Sequence, residues 1–341
     1  MTSILATATE SEEKKLHDVH KEMDRTPSEV VYTSGRIKLL HYEQIRKEKI
    51  VHTPVLIVFA LINRYYILDL QQDRSVVRRY LESGIDVYMI DWGNPAPIDK
   101  FQTIGDHIEM IDEAVDVILK RSHVDGITLQ GYCMGGTFAA IYAALHPSKV
   151  KNLIVQAASI DFSTQSGILN VWSRFIDADK IVDTFGNVPS QFLNSSFLLL
   201  NPVGLLVDKY VKYYDNIDDK QYVENFDRME KWIFDSPDVP GEVYRQFIKD
   251  LYQKNLLVKG EFAIDGKKVN LKRIDMPLLN IVGEEDNIVP PDSSTPLNDL
   301  TSSKDKETIS FPSGHIGISV SGKAQKELWP RVAEWIREHS V

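Results

Sequence analysis

The single cysteine of the 341-residue chain, Cys133, lies in Gly131-Tyr132-Cys133-Met134-Gly135-Gly136. That setting points to nucleophilic chemistry. An apolar run, Val124 to Gln130, precedes it and an Ala-rich run, Thr137 to Leu145, follows it. The pattern predicts a buried strand, a sharp turn carrying Cys133, and a helix packed tightly on a sheet. Gly131 and Gly135 remove the side-chain bulk that would hold strand and helix apart, and Gly136 completes the turn. The sulfur then faces the positive end of the helix, which favours the thiolate, the reactive form.

A thiol nucleophile needs a base and an acid that orients the base. His315, in Pro312-Ser313-Gly314-His315-Ile316-Gly317, is the predicted general base. It follows a strand-forming stretch, Thr308 to Phe311, and precedes a helix over Lys323 to Glu338. The acid is Asp286. The apolar stretch Met276 to Gly283 reads as a buried strand, and the Gly-x-x-Asp spacing before Ile288-Val289-Pro290 selects Asp286 over Glu284, Glu285 and Asp292. Of the other eight histidines, His17 and His20 lie in a charged amino-terminal segment and His339 in the carboxy-terminal tail. His146 caps the helix after Cys133, and His41, His52, His107 and His123 fall near element boundaries. No pair has zinc-ligand spacing, and one cysteine excludes both a Cys-rich metal site and an intrachain disulfide. No metal is expected.

The elements that must position these groups follow from the same patterns. Val55 to Ala60 and Ile85 to Asp91 read as strands, Ala114 to Lys120 as the end of a helix, and Asn152 to Ala158 as a further strand. Strands alternating with helices imply α/β architecture, a mostly parallel sheet with helices on both faces. Nucleophile, acid and base in this chain order resemble the α/β-hydrolase fold, in which the oxyanion donors are the N–H after the nucleophile and one from the loop after an earlier strand. Here those are Met134 and either Ile62 or Leu61, with Ile62 preferred. The stretch from Asp161 to Ile274 is too long for a simple connection and reads as a mainly helical cap (161–274) inserted into a core of 29–160 and 275–341. Trp172, Phe175, Phe192, Phe197 to Leu200, Leu205 to Val207, Tyr210, Tyr213, Tyr214, Trp232 and Phe234 are expected mostly as cap core, and a smaller share as lining an acyl channel, a subunit contact or a granule-facing surface. The turn-rich Asp235 to Gly241 reads as a hinge or a plain loop. Residues 1–28 are expected to be a loose amino-terminal segment, with Leu16, Val19 and Met23 at helical spacing.

The blocks Gly131 to Gly136, Asn63 to Leu70, Asp91-Trp92-Gly93-Asn94-Pro95 and Gly314-His315, in this order, resemble polyhydroxyalkanoate synthases. The resemblance implies that Cys133 carries the growing acyl chain, that His315 activates it, and that Asp286 either orients His315 or serves the hydroxyl of the incoming monomer. It implies a short-chain (R)-3-hydroxyacyl-CoA such as 3-hydroxybutyryl-CoA as substrate, with no further cofactor, and polyester as product. The large amino-terminal domain of the longer synthases is absent, and Phe59-Ala60 stands where many of those have a Pro-rich pair. Both features are similar to the short, two-component synthases, which work with a PhaE or PhaR subunit; a homodimer is the expected assembly. Sulfur suits such a reaction, because transfer from a CoA thioester to Cys133 exchanges one thioester for another and keeps the acyl group reactive. Polymerisation then outruns hydrolysis only if water is kept out. The alternatives are a Cys-nucleophile thioesterase or dienelactone-hydrolase-like enzyme and, third, a non-catalytic scaffold.

Composition bounds these readings. The chain holds 39 Lys and Arg against 49 Asp and Glu, a net charge of -10, with no basic run suited to nucleic acid. No apolar run approaches the roughly 18 residues that span a bilayer, and Met1 to Glu10 lacks the features of a signal peptide. The expected location is the cytoplasm, on polyhydroxyalkanoate granules.

Overall fold

The computed structural model describes residues 25–46 and 51–340. Eight strands form one sheet: β1 (Ser28–Ser34), β2 (Ile37–Tyr42), β3 (Val55–Val58), β4 (Val87–Asp91), β5 (Ile127–Tyr132), β6 (Val150–Gln156), β7 (Leu278–Gly283) and β8 (Lys306–Phe311). Their spatial order is β1-β2-β4-β3-β5-β6-β7-β8. From β4 to β8 every pairing is parallel, whereas β1 pairs antiparallel with β2 and β2 antiparallel with β4. The parallel strands are covered on both faces, so β3, β5 and β7 are buried at every position and none alternates between a buried and an exposed face. The edge hairpin β1–β2 went unread in the sequence. Its alternation is blurred because β1 is only half-buried along most of its length.

The helix Met134–Leu145 lies in the middle of this sheet, and Phe138 to Ala144 are all fully buried. A helix apolar all round is one that has no solvent face, which is what the Ala-rich composition anticipates. The helix Ile104–Ser122 covers the sheet beside it and opens with a Thr103/Asp106 capping box. The carboxy-terminal helical stretch has a wide π turn over Ala324–Leu328 before the α-helix Trp329–Glu338. The amino-terminal segment, expected to be loose as far as 28, is docked from Arg25 onward. The guanidinium of Arg25 stacks 3.5 Å from the Tyr66 ring, and the Thr26 N–H and hydroxyl donate to the buried Asp69 carboxylate at 2.8 and 3.0 Å. Most of the proposed helix at 11–25 lies outside the described residues.

Between β6 and β7 the chain forms short helices, from Ile168–Ser173 to Leu256–Lys259. The aromatic and aliphatic residues expected to be the core of this insert are mostly not buried: of those named above, Leu200 and Trp232 are, whereas Phe175, Leu199, Leu206, Val207, Tyr214 and Phe234 are exposed. The physical reason is that helices of 4 to 15 residues present only one stripe each to the sheet domain, so their opposite stripes stay in solvent. Among the described residues no helix is long and apolar enough to cross a membrane.

His107 lies at an element boundary as expected, in the first turn of the helix Ile104–Ser122, and is also a core residue. Its Nδ1 donates to the Thr103 carbonyl at 2.8 Å and its ring packs between Trp92 and Phe138. Burial pulls its pKa down to about 4, against a smaller opposing effect of the Thr103 carbonyl. A histidine whose folded pKa lies below its unfolded value of about 6.5 contributes stability that is complete above pH 6.5 and is lost as pH falls toward 4. About 3 kcal/mol of unfolding free energy should disappear across that window. Urea unfolding at pH 7 and pH 4.5 checks this, because His107→Leu should flatten the difference between the two pH values by that amount.

Candidate active site

Cys133 joins β5 to the buried helix, and its backbone shows why the turn is built as it is. Its φ of 55° and ψ of -126° are strained for a non-glycine residue, a cost tolerated where the surroundings fix the conformation. The glycines make the close approach possible. A Cβ on Gly135 would collide with the Val58 carbonyl oxygen, one on Gly131 with the Gly135 carbonyl, and one on Gly136 with the Ala158 side chain. All three clashes are with neighbours that cannot swing aside, so each glycine is dictated by the packing.

His315 and Asp286 arrive from the loops after β8 and β7. His315 Nδ1 donates to Asp286 Oδ2 at 2.6 Å, and the Cys133 sulfur acts electrostatically on the same imidazole. The structure therefore brings together all three residues singled out in the sequence. Asp286 is fully enclosed: its Oδ1 accepts the N–H groups of Ile288 and Val289 at 2.9 and 2.8 Å, and its Oδ2 faces only the imidazole. Burial alone would lower the pKa of His315, but the Asp286 carboxylate and the Cys133 sulfur outweigh it and raise it to about 10. At neutral pH the imidazole thus holds a proton.

The His315 loop is anchored by a buried polar relay that sequence reasoning missed. Tyr132, next to the cysteine, donates its hydroxyl to the His315 carbonyl at 3.1 Å, and its ring lies 5.2 Å from the imidazole. Behind it, Tyr80 donates to Gln130, Gln130 to Gln156, and Gln156 to Ser319, at 2.7, 3.1 and 2.8 Å. Each link joins residues 26 or more positions apart, so no local pattern announces it.

Met134 and Ile62 both line the cavity that opens at Cys133, whereas Leu61 faces a separate small recess with Asn63, Arg64, Asp91 and Trp92. Met134 opens its helix, where a first-turn N–H has no intrahelical acceptor. The Ile62 loop is held from outside the sheet domain. Asn63, at φ 64°, donates to Ser236 at 2.6 Å, Tyr66 donates to Asp235 at 2.8 Å, and Arg64 pairs with Asp235 at 3.3 Å. The turn at Asp235 to Gly241 is therefore a latch on the loop after β3. The Asn63 to Leu70 and Asp91 to Pro95 blocks also meet, through Arg64 and Asn94 at 2.6 Å.

A family model described as alpha/beta hydrolase fold matches residues 54–320, and one described as the N-terminus of poly-beta-hydroxybutyrate polymerase (PhaC) matches residues 3–81. The protein of Thiocystis violacea named poly(3-hydroxyalkanoate) polymerase subunit PhaC is 46% identical over 316 residues, which cover 92% of this chain and 89% of that one. The chain belongs to the PhaC family. A PhaC subunit from Haloferax mediterranei is 49% identical over 93% of this chain, which spans 65% of that longer protein. The chain has the α/β-hydrolase fold, and solved structures agree on the fold alone. A soluble variant of monoglyceride lipase from Saccharomyces cerevisiae aligns with a TM-score of 0.56 at 13% identity, covering 93% of this chain and 96% of that one. An esterase from Thermogutta terrifontis aligns with a TM-score of 0.54 at 15% identity, covering 93% of this chain and 99% of that one.

The cavity at Cys133 in this PhaC chain has a volume of about 320 Å³ and is roofed by Leu169, Trp172, Phe192, Phe197 and Leu200 of the inserted helices. A wider groove of about 810 Å³, lined by Lys100, Phe185 and Arg245, lies away from the cysteine. Arg245 there is already tied to Asp179, Asp183 and Glu242.

The geometry of the pair gives a signed prediction. The stabilisation that comes from protonated His315 is complete below pH 6.5 and is lost as pH rises toward 10. Asp286→Asn removes the leading cause of the upward shift, so the His315 titration, followed by imidazole nitrogen NMR, should move down from about 10 toward the ordinary 6.5. A midpoint unchanged in Asp286→Asn would mean that Asp286 does not govern the imidazole.

Proposed function

We propose that this chain polymerises (R)-3-hydroxyacyl groups, with 3-hydroxybutyryl-CoA as a short-chain donor, through a thioester on Cys133. The observation that carries the reading is the apolar cavity that opens at Cys133, together with a buried, Asp-anchored histidine on which the Cys133 sulfur acts. Membership of the PhaC family supports it.

The chemistry follows from the proton held on His315. The Cys133 thiolate attacks the acyl carbonyl, supported by the N–H groups of Met134 and Ile62 as oxyanion donors. The carbonyl-to-sulfur bond of the donor breaks, its electron pair leaves on the CoA sulfur, and that sulfur takes the imidazolium proton. Acylation also neutralises Cys133, removing one of the charges that raised the His315 pKa. His315 is then free to act as a base. It takes the proton of a second unit's 3-hydroxyl, the oxygen attacks the Cys133 thioester, and the thiolate departs with the imidazolium restored. One ester forms for each thioester consumed. Asp286 has the role of orienting His315 rather than touching the substrate hydroxyl, since both its oxygens are already occupied.

The apolar roof gives polymerisation its advantage over hydrolysis by limiting water near the acyl group. The relatives are named as polymerase subunits, and a partner of PhaE or PhaR type is the expected second component, with a homodimer of this chain and a granule surface completing the assembly. Incubation with 3-hydroxybutyryl-CoA, following CoA release and product mass, tests the reading. Insoluble polyester or ester oligomers should form faster with the second subunit, and Cys133→Ala should lose about a thousandfold or more of the rate. Free 3-hydroxybutyrate as the sole product would replace the polymerase reading with a hydrolase.

A further inference from the structure

The cavity at Cys133 is apolar except for five hydroxyls, and two of these are spoken for. Thr137 donates to the Ser159 carbonyl at 2.8 Å, and Ser196 to the Phe192 carbonyl at 2.9 Å. Tyr244 has its pKa raised by burial alone, with no influence from the charges of the site. The other two are Ser159 and Tyr252. The Ser159 hydroxyl is buried and has no hydrogen-bond partner. Tyr252 lines the same cavity as Ser159 and Cys133, and its hydroxyl also feels the charges of Cys133 and Asp286. A buried polar group left incompletely bonded is costly by about 1 to 3 kcal/mol unless a ligand completes it.

Tyr252 is also held as a recognition group should be. It lies in the π-helical stretch Phe247–Gln253, a wide turn of the kind that occurs frequently at functional sites. Its ring is clamped edge-on by Phe162 at 4.7 Å and tilted against Phe247 at 5.8 Å. Asn255, at φ 51°, fixes this corner by bonding Asp161 and the Phe162 N–H.

Resting on the acyl-transfer reading above, we propose that the Tyr252 hydroxyl recognises the 3-hydroxyl of the acyl group delivered to Cys133, with the unpartnered Ser159 hydroxyl of the same cavity completing the polar site. The 3-hydroxyl lies two carbons from the carbonyl that Cys133 attacks, which suits a donor in the same cavity as the sulfur. Tyr252 is in this assignment a specificity-determining residue: it separates a 3-hydroxyacyl donor from a plain acyl donor of equal length in a pocket otherwise blind to the difference.

The test compares acylation of Cys133 by (R)-3-hydroxybutyryl-CoA and by butyryl-CoA, using the chain coexpressed with a PhaE- or PhaR-type subunit and reading CoA release and intact mass. Tyr252→Phe should lower kcat/KM for the hydroxylated donor by about tenfold and leave butyryl-CoA within about twofold, erasing the preference of the native protein. Ser159→Ala should show the same donor-selective pattern at about threefold, and stands as the independent variant if Tyr252→Phe unfolds. Equal losses on both donors, or none on either, would overturn the assignment. If the native protein forms no acyl-Cys133 from either donor, the acyl-transfer reading itself fails and this assignment falls with it.

Discussion

The closeness with which the buried helix approaches the central strands governs everything else in the site. Gly135 lies against the carbonyl of Val58 and Gly136 against Ala158, and that contact leaves Cys133 no alternative to its strained turn. The strain in turn places the sulfur above the strand ends, within reach of the loops after β7 and β8, and sets Met134 at the helix start. One packing distance thus fixes Cys133 and the N–H of Met134 together. The helix can pack so tightly only because Ala139, Ala140, Ala143 and Ala144 add little volume between it and the sheet.

A second constraint is the satisfaction of charge in an enclosed place. Asp286 has no exposure to water, yet two backbone N–H groups and an imidazole surround it. Pairing offsets the cost of burying the carboxylate, and the same carboxylate is the leading cause that raises the His315 pKa. The Tyr132 hydroxyl performs a similar service for the backbone of the His315 loop, without a charge. His315 and Asp286, both on loops, are thereby held by each other and by their neighbours.

The parts of this arrangement that were legible in the sequence are those written locally. Cys133 sits among glycines whose spacing has one structural meaning, and Asp286 and His315 each follow a strand by a few residues. The parallel strands were equally plain, because strands buried on both faces are mostly apolar. The rest depends on partners far away along the chain. Nothing near Tyr132 says that its hydroxyl meets residue 315, and nothing near Ser236 says that it holds Asn63, 173 positions before it. The residues of the inserted helices misled in the other direction. Their apolar character suggested a core, yet many face solvent, since composition does not tell an inward stripe from an outward one. Arg25 and Thr26 were hidden for a related reason: a charged, polar segment gave no hint of the buried Asp69 that receives it.

The latch at Asp235 and Ser236 has a consequence for the loop beside it. The same short turn that ends the helix Lys220–Phe234 in the roof also grips Asn63, Arg64 and Tyr66 beside Ile62. Any displacement of this turn would therefore be felt at the Ile62 loop, because the three contacts that hold the loop from outside are the same three that tie the turn to it.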